Sequence, residues 1–285
     1  SRIDCDHITF TGGEPLLADG LAELVLLARM KGKRVNIITN GTACDGETYQ
    51  NLGRLGVSMF QLPLHSARPD VHDYLTTVPG SFDRVIASIK FLLEKRFPLG
   101  LTCVLTKANI AGLFDLLQLL ISLGAPRLML ARFNIGGRGI DNIQDLLPSR
   151  EELRSAFEVA HEFAEKHPLR ISANVCLPQC IIDQSDFPRI KIGTCGSSPT
   201  QRPITIDCRG ALRMCNHSPV ELGNIFDDSL EEIFSRPTVD EWERSVPEFC
   251  AQCIRWDRCR GGCRAASQQM GRRLSSEDPA IALTM

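Results

Sequence analysis

Short apolar runs and amphipathic segments alternate along the first two thirds of the chain, at intervals of roughly 25 to 35 residues. Ile8–Thr11, Val35–Thr39, Ser58–Leu64, Leu99–Leu105, Arg127–Phe133 and Leu169–Ala173 read as strands. Helical patterns stand between them, over about Leu17–Met30, Glu47–Leu55 and Ile110–Leu123. Ser81 is the predicted cap of another helix, with Phe82, Val85, Ile86, Ile89 and Leu92 on one face. Ser149 with Glu152 forms a capping box for a helix running to about Lys166. Such alternation predicts an α/β fold: a parallel sheet with helices outside it, open or closed into a barrel.

In parallel folds of this kind, ligands sit at the C-terminal ends of the strands. The polar and glycine residues fall there: Gly12-Gly13-Glu14, Thr39-Asn40-Gly41, His65-Ser66, Thr106 with Asn109, and Asn134 to Gly139. Any one of them is ordinary turn chemistry, but five at the same edge predict a pocket. In Gly12-Gly13-Glu14-Pro15 the glycines let a ligand touch the backbone. Glu14 offers a fixed carboxylate suited to an ammonium, and Pro15 opens the next helix. A tight turn with an exposed Glu is the competing reading.

The last third carries a different signal. Cys250, Cys253, Cys259 and Cys263 are spaced C-x2-C-x5-C-x3-C, with Gly261 and Gly262 letting the backbone fold tightly around whatever the sulfurs hold. Thiolates gathered in this way bind zinc or an iron–sulfur cluster, or pair as disulfides. Disulfide frameworks belong to small, loop-rich secreted chains. This chain has 285 residues, shows no secretory signal, and concentrates seven of its twelve cysteines between Cys195 and Cys263, which favours metal. A net charge of −2 provides no field for nucleic acid. The longest apolar stretch, Leu113–Leu123, is broken by Asp115, Gln118 and Ser122 and is far short of the ~20 residues of a membrane span.

Taken together, these motifs resemble the radical S-adenosylmethionine (radical SAM) enzymes that carry a C-terminal SPASM domain. The strand before Gly12-Gly13-Glu14-Pro15 and the one before Thr39-Asn40-Gly41 look like the cofactor-binding half of that family's partial (β/α)6 barrel, and Pro79-Gly80-Ser81-Phe82 and Val104 to Asn109 recur at matching places. In the tail, Cys195 is followed by Gly210 and, at G-x4-C, by Cys215. Leu222-Gly223-Asn224-Ile225 and a helix capped by Ser229 and Glu232 then lead to the four-cysteine run. The resemblance implies a radical SAM core over residues 1–180, lacking its first strand–helix unit, and a small α+β SPASM domain over 190–285.

The resemblance also implies a mechanism. A reduced [4Fe–4S] cluster cleaves S-adenosylmethionine, and the 5′-deoxyadenosyl radical abstracts hydrogen from a substrate. Gly12 and Gly13 are expected to take the methionine end of the cofactor and Glu14 its ammonium, with Thr39, Asn40, Ser66 and Thr106 lining the rest. The strand ending Pro63-Leu64-His65-Ser66 departs from the more usual Ser-x-Asp-Gly of the family, so its contacts are less secure than Glu14. The family's catalytic cluster is held by C-x3-C-x2-C upstream of the Gly-Gly-Glu strand, yet only seven residues precede Ile8, and Cys5 alone cannot serve. The polypeptide as it stands is therefore expected to be unable to generate the radical. Its abrupt start reads as truncation of a longer protein rather than degeneration.

Carried over from the family, Cys195, Cys215 and Cys263 share a proximal auxiliary cluster, and Cys250, Cys253 and Cys259 a distal one. Asp278 is a candidate substitute for the distal group's last ligand. Cys176 and Cys180 either complete a cluster or are structural or free thiols. Cys208 lies in a predicted hairpin turn, Asp207 to Gly210, as a free thiol; Cys5, Cys44 and Cys103 fit ordinary positions, Cys103 in the core. Arg255, Arg258, Arg260 and Arg264 either stabilise an anionic cluster or form a solvated basic face. The family acts mostly on peptides or proteins, and Asn216 after Cys215, where sulfatase-maturing members carry Asp, points to ribosomal peptide maturation. The implied setting is cytoplasmic, with a peptide or protein substrate and an electron donor such as a flavodoxin or ferredoxin, and without nucleic acid or membrane. A small-molecule substrate, and a non-catalytic metal-binding or electron-transfer module, are the alternatives.

Overall fold

The computed structural model describes residues 5–43, 45–196 and 203–283. Seven strands lie side by side in chain order in one sheet: β1 (His7–Phe10), β2 (Arg34–Ile38), β3 (Met59–Pro63), β4 (Leu99–Leu105), β5 (Arg127–Arg132), β6 (Arg170–Ala173) and β7 (Ile190–Ile192). Strands β1 to β4 pair in parallel, with Ile8 beside Val35, Ile37 beside Phe60 and Leu62 beside Leu101. The helices between them are α1 (Leu21–Met30), α2 (Gly46–Arg54), α3 (Pro69–Thr76), α4 (Ser81–Glu94), α5 (Leu113–Leu123), α6 (Ile143–Leu146) and α7 (Arg150–Lys166). This is the expected partial TIM-like α/β barrel, with β7 added to the six strands read from the sequence. The chain forms two compact units. One runs to Leu130 and adds Val159–Ile171; the other comprises Ala131–Glu158 and the chain from Ser172.

In the first unit one face of each strand packs under helices. Val35, Ile37, Phe60, Leu62, Leu99, Leu101 and Leu105 are buried, as are Val85, Ile89 and Leu92, which recur at helical spacing along α4. Each such side chain contributes about 1.5–3 kcal/mol by leaving water. The Tyr49 ring meets Phe60 edge-on at 5.4 Å. The alternate positions of these strands carry Asn36, Gln61 and Thr102, all less buried. Gln61 Nε2 donates to Thr102 Oγ1 at 2.7 Å across β3 and β4, so the second face of the sheet is partly polar.

Three local expectations are corrected. The helix predicted from Leu17 starts only at Leu21. Pro15–Leu17 is a 3-10 turn, and Gly20 adopts a left-handed φ of 79° that separates the two. Ser81 is the first helical residue of α4 rather than its cap. The carboxylate of Asp73 does that work from α3, accepting from Gly80 N at 2.5 Å, Phe82 N at 2.9 Å and Ser81 Oγ at 2.9 Å. Helix α3 itself was not foreseen, although Pro69 at its first turn marks it. The Ser149–Glu152 capping box forms as read, with both reciprocal bonds present at 2.7 and 3.1 Å.

The second unit contains a three-stranded antiparallel sheet of β8 (Thr205–Ile206), β9 (Ala211–Arg213) and β10 (Glu221–Asn224). The β8–β9 turn closes through Gly210 N to Asp207 O at 3.0 Å, with Gly210 at φ 83°, as the predicted hairpin requires. Helices α8 (Leu230–Phe234), α9 (Pro237–Arg244), α10 (Trp256–Cys259), α11 (Arg264–Gln269) and α12 (Pro279–Leu283) follow. Ser229 and Glu232 form the capping box of α8. Leu212, Leu222, Ile233, Val239, Trp242 and Ala266 make the core. No helix among the described residues is long and apolar enough to cross a membrane.

Candidate functional site: a strand-end cavity and two groups of thiols

A cavity of about 260 Å³ opens at the C-terminal ends of β1 to β4. Gly12, Gly13, Thr39 and Asn40 line it, joined by Gln61, His65 and Thr102. A larger open groove of about 610 Å³ lies along α1 and α2 between residues such as Glu23, Glu47 and Arg54, and holds none of the predicted site residues.

Glu14 organises the first two strand ends. Its Oε1 accepts from Thr39 Oγ1 at 2.7 Å and Leu16 N at 3.1 Å, and its Oε2 accepts from Asn40 N at 2.7 Å. These bonds fix the carboxylate and fill the lone pairs of Oε1, while Oε2, with one of its acceptor sites used, keeps capacity for a further donor, since a carboxylate offers about four acceptor sites. Gly12 has φ 134° and open space where a Cβ would stand, so its backbone is bare toward the cavity. Gly41 is confined instead. At φ 73°, a Cβ there would lie 2.8 Å from both Leu62 and Val85, and its carbonyl accepts from buried Ser88 Oγ at 2.7 Å.

His65 occupies the end of β3. Its ring Nδ1 accepts from Val104 N at 3.3 Å, which leaves Nε2 to carry the proton of the neutral ring. Burial, and secondarily the stacked His72 ring 5.5 Å away, lowers the His65 pKa to about 4, so the ring is neutral at pH 7. Ser66 and Thr106, both predicted to line the site, are instead buried within the strand-end turns. Ser66 Oγ accepts from Arg68 N at 3.0 Å, and Thr106 Oγ1 and N both donate to Asn109 Oδ1 at 3.1 and 2.8 Å. Gln61 and Thr102 were missed. The available signal was a polar residue at an alternate position within an otherwise apolar parallel strand.

The cysteines of the second unit fall into two neighbourhoods. Cys176 is hydrogen-bonded to Cys195, and this bond, with burial and the neighbouring Cys263, holds its thiol well above the ordinary value. Cys215 is pushed up to about 11, chiefly by burial, with Cys263 and Cys195 among its neighbours. In the other neighbourhood burial and then Cys259, Cys253 and Cys180 push Cys250 up to about 11. The predicted proximal trio of Cys195, Cys215 and Cys263 is thus brought together with Cys176, and the distal trio of Cys250, Cys253 and Cys259 with Cys180. Cys208 is exposed at its hairpin, Cys103 is core, and Cys44 lies outside the described residues.

Asp278 is corrected as a distal ligand. It is 1% exposed and spent on other partners: Arg132 Nη1 and Nη2 at 3.1 and 2.8 Å, Cys263 N at 2.7 Å and Ala280 N at 3.0 Å. The four predicted arginines divide. Arg255 pairs with Asp183 at 2.7 Å, Arg260 lies over the Trp256 ring, and Arg258 is exposed. Arg264 is 3% exposed, and none of its three guanidinium nitrogens has a partner among the described residues. A buried cation without a hydrogen-bond partner is costly; burial lowers the Arg264 pKa, and the neighbouring Cys195 acts in the opposite direction. Such a guanidinium fits an anionic thiolate-ligated cluster. No three carboxylate, imidazole or thiol groups among the described residues converge closely enough for a single metal ion.

A sequentially ordered parallel α/β sheet with a strand-end cavity, joined to a cysteine-rich unit with two thiol groups, defines a class of cluster-bearing barrel proteins. The chain matches the radical SAM superfamily over residues 1–120 and the iron–sulfur cluster-binding SPASM domain over 195–254. It is 27% identical over 285 residues to the PqqA peptide cyclase of Gluconobacter oxydans (strain 621H), covering 98% of this chain and 77% of that protein. Among solved structures it resembles native anSMEcpe with bound AdoMet and Cp18Cys peptide, at TM-score 0.74 and 18% identity over 97% of this chain and 81% of that one. It also resembles Streptococcus suis SuiB bound to S-adenosylmethionine, at TM-score 0.73 and 17% identity over 96% and 65%. At these identities the two structures show a shared fold.

Proposed function

We propose that this chain binds S-adenosylmethionine and two auxiliary iron–sulfur clusters within a radical SAM enzyme that modifies a peptide. The observation that carries the reading is Glu14, held by three donors, two of them from Thr39 and Asn40, which line the strand-end cavity with Gly12 and Gly13, in a chain that also gathers two sets of four thiols. Gly12 and Gly13 take the cofactor's methionine end, and Glu14 receives its ammonium. Thr39 and Asn40 keep the carboxylate in place. His65 presents a neutral ring and Gln61 and Thr102 a polar wall; Ser66 and Thr106 hold the turns from behind. The bound cofactor would supply, on reductive cleavage, the radical that takes hydrogen from a substrate. Residues 1–43 contain one cysteine, Cys5, and do not supply a C-x3-C-x2-C set.

In the second unit Cys176, Cys195, Cys215 and Cys263 are the donors of the proximal cluster, with Arg264 balancing its charge and Arg132–Asp278 orienting the backbone of Cys263. Cys250, Cys253 and Cys259 serve the distal one. The roles that follow for the clusters are electron transfer, with electrons from a small redox protein of the flavodoxin or ferredoxin type, or substrate anchoring. Similarity to a peptide cyclase along nearly the whole chain supports a peptide substrate. The test uses the full protein, anaerobically reconstituted, with S-adenosylmethionine, a reductant and candidate precursor peptides. The expected result is 5′-deoxyadenosine together with a peptide mass change. Zinc in place of iron, or cofactor turnover coupled only to a small molecule, would sink the proposal.

A further inference from the structure

We infer that Cys180 is the fourth thiolate of the distal group, so that the connector before β7 closes a Cys180–Cys250–Cys253–Cys259 site. This rests on the iron–sulfur reading above and extends it to a residue that lies 70 positions before Cys250 in the chain. Three contacts press the connector onto the cysteine run. Gln179 N donates to Cys259 Sγ at 3.2 Å, placing the neighbouring residue beside that sulfur. The Pro178 ring lies against Gly262, where a Cβ would stand 2.7 Å from Pro178 Cγ, so only glycine allows the approach. On the far side of Cys180, Asp183 Oδ2 accepts from Arg255 Nε at 2.7 Å, within the run itself. Between these clamps the chain turns through Ile181 N and Ile182 N to Pro178 O at 2.9 and 3.1 Å.

The turn leaves Cys180 little freedom to serve elsewhere. Ile181 and Ile182 beside it are 3% and 0% exposed and anchor the segment. Cys176, one turn earlier, is committed to Cys195. Two cysteines four residues apart therefore reach different groups because Pro178, seated on Gly262, separates them. A fourth sulfur matters chemically: three thiolates leave one iron of a [4Fe–4S] cluster open to solvent or substrate, whereas four make a closed centre suited to electron transfer. The distal group of this protein is accordingly a relay or structural centre, and substrate does not bind to its iron.

The test compares full-length wild-type protein with C180A, C180S and, as a control, C208A at the exposed hairpin. All are reconstituted anaerobically and measured for iron and sulfide per chain and by electron paramagnetic resonance. The expected C180A protein has lost about four irons, or keeps a three-iron centre with its oxidised-state signal. C208A matches wild type. C180S keeps the volume of the side chain, so a loss of iron there with unchanged circular dichroism supports ligation rather than misfolding. Wild-type iron, sulfide and spectra in C180A and C180S would overturn the assignment. Wild-type protein holding zinc instead of iron would sink the underlying reading, and that failure is visible before any variant is compared.

Discussion

Substituting Asp278 tests the arrangement that holds Cys263. The side chains of Asp278 and Arg132 are 0% and 3% exposed, and four donors converge on the carboxylate: two guanidinium nitrogens and the amides of Cys263 and Ala280. Asn keeps the shape but offers one acceptor oxygen, turns an amide donor toward donors, and leaves Arg132 buried without a counter-charge. Removing one partner of a buried pair costs about 3–5 kcal/mol. D278N belongs near 3 kcal/mol because one oxygen still accepts, equivalent to roughly a 150-fold fall in the folded-to-unfolded ratio. Removing both charges in R132M/D278L exposes the other half of the argument, since desolvation then no longer opposes folding. The double variant should recover to within about 1–2 kcal/mol of wild type. Urea unfolding of the cluster-free protein, followed by tryptophan fluorescence, reads the second unit directly, because Trp242 and Trp256 both belong to it. A D278N midpoint within about 0.5 kcal/mol of wild type, or a double variant no better than the single, refutes the reasoning.

Other consequences can be measured independently. E14Q should weaken S-adenosylmethionine binding by about tenfold to a hundredfold, the worth of a charge-assisted bond, in calorimetric titration; unchanged affinity removes Glu14 from the site. G41A should cost about 2–4 kcal/mol by thermal unfolding, since its Cβ collides with Leu62 and Val85 and its φ of 73° is left-handed. His65 titrates at about 4 when folded and near 6.5 when unfolded, so the folded state disfavours its charge. That stability is complete above pH 6.5 and is lost as pH falls toward 4, by about 2 kcal/mol at pH 5. H65Q should flatten this dependence in denaturation curves at pH 5 and 7.5. R264M should stabilise the cluster-free protein by about 1–3 kcal/mol, because an unpaired buried cation disappears, yet lower the reduction potential of the loaded proximal cluster in a spectroelectrochemical titration.

Much of the architecture is legible in local pattern. Strand Leu99–Leu105 and the capping boxes at Ser149 and Ser229 formed as read, because apolar periodicity and cap chemistry act over a few residues. The cap of α4 was misassigned for the complementary reason. Ser81 has the right identity, but Asp73, eight residues earlier, already satisfies the helix's first amides. Among the site residues, Gly12, Gly13, Thr39 and Asn40 line the cavity because glycine and turn residues at parallel strand ends face it in any fold of this type. Ser66 and Thr106 do not, because their hydroxyls are taken up inside the turns, Ser66 Oγ by Arg68 N and Thr106 Oγ1 by Asn109 Oδ1.

By itself, then, the sequence determined the alternating strand–helix order, the position of the strand-end turns, and the spacing of the cysteine run that marks the family. Only the tertiary structure decided how the thiols are shared. Cys176 and Cys180 stand four apart in the chain yet reach different neighbourhoods, because Pro178 seats on Gly262. It also took Asp278 away from the metal and bound it to Arg132, a partner 146 residues distant, and left the buried Arg264 guanidinium without a hydrogen-bond partner among the described residues. The physical reason is the same in each case. Periodicity and capping are energies of neighbouring residues, whereas the pairing of buried charges and sulfurs depends on which distant groups are removed from water together.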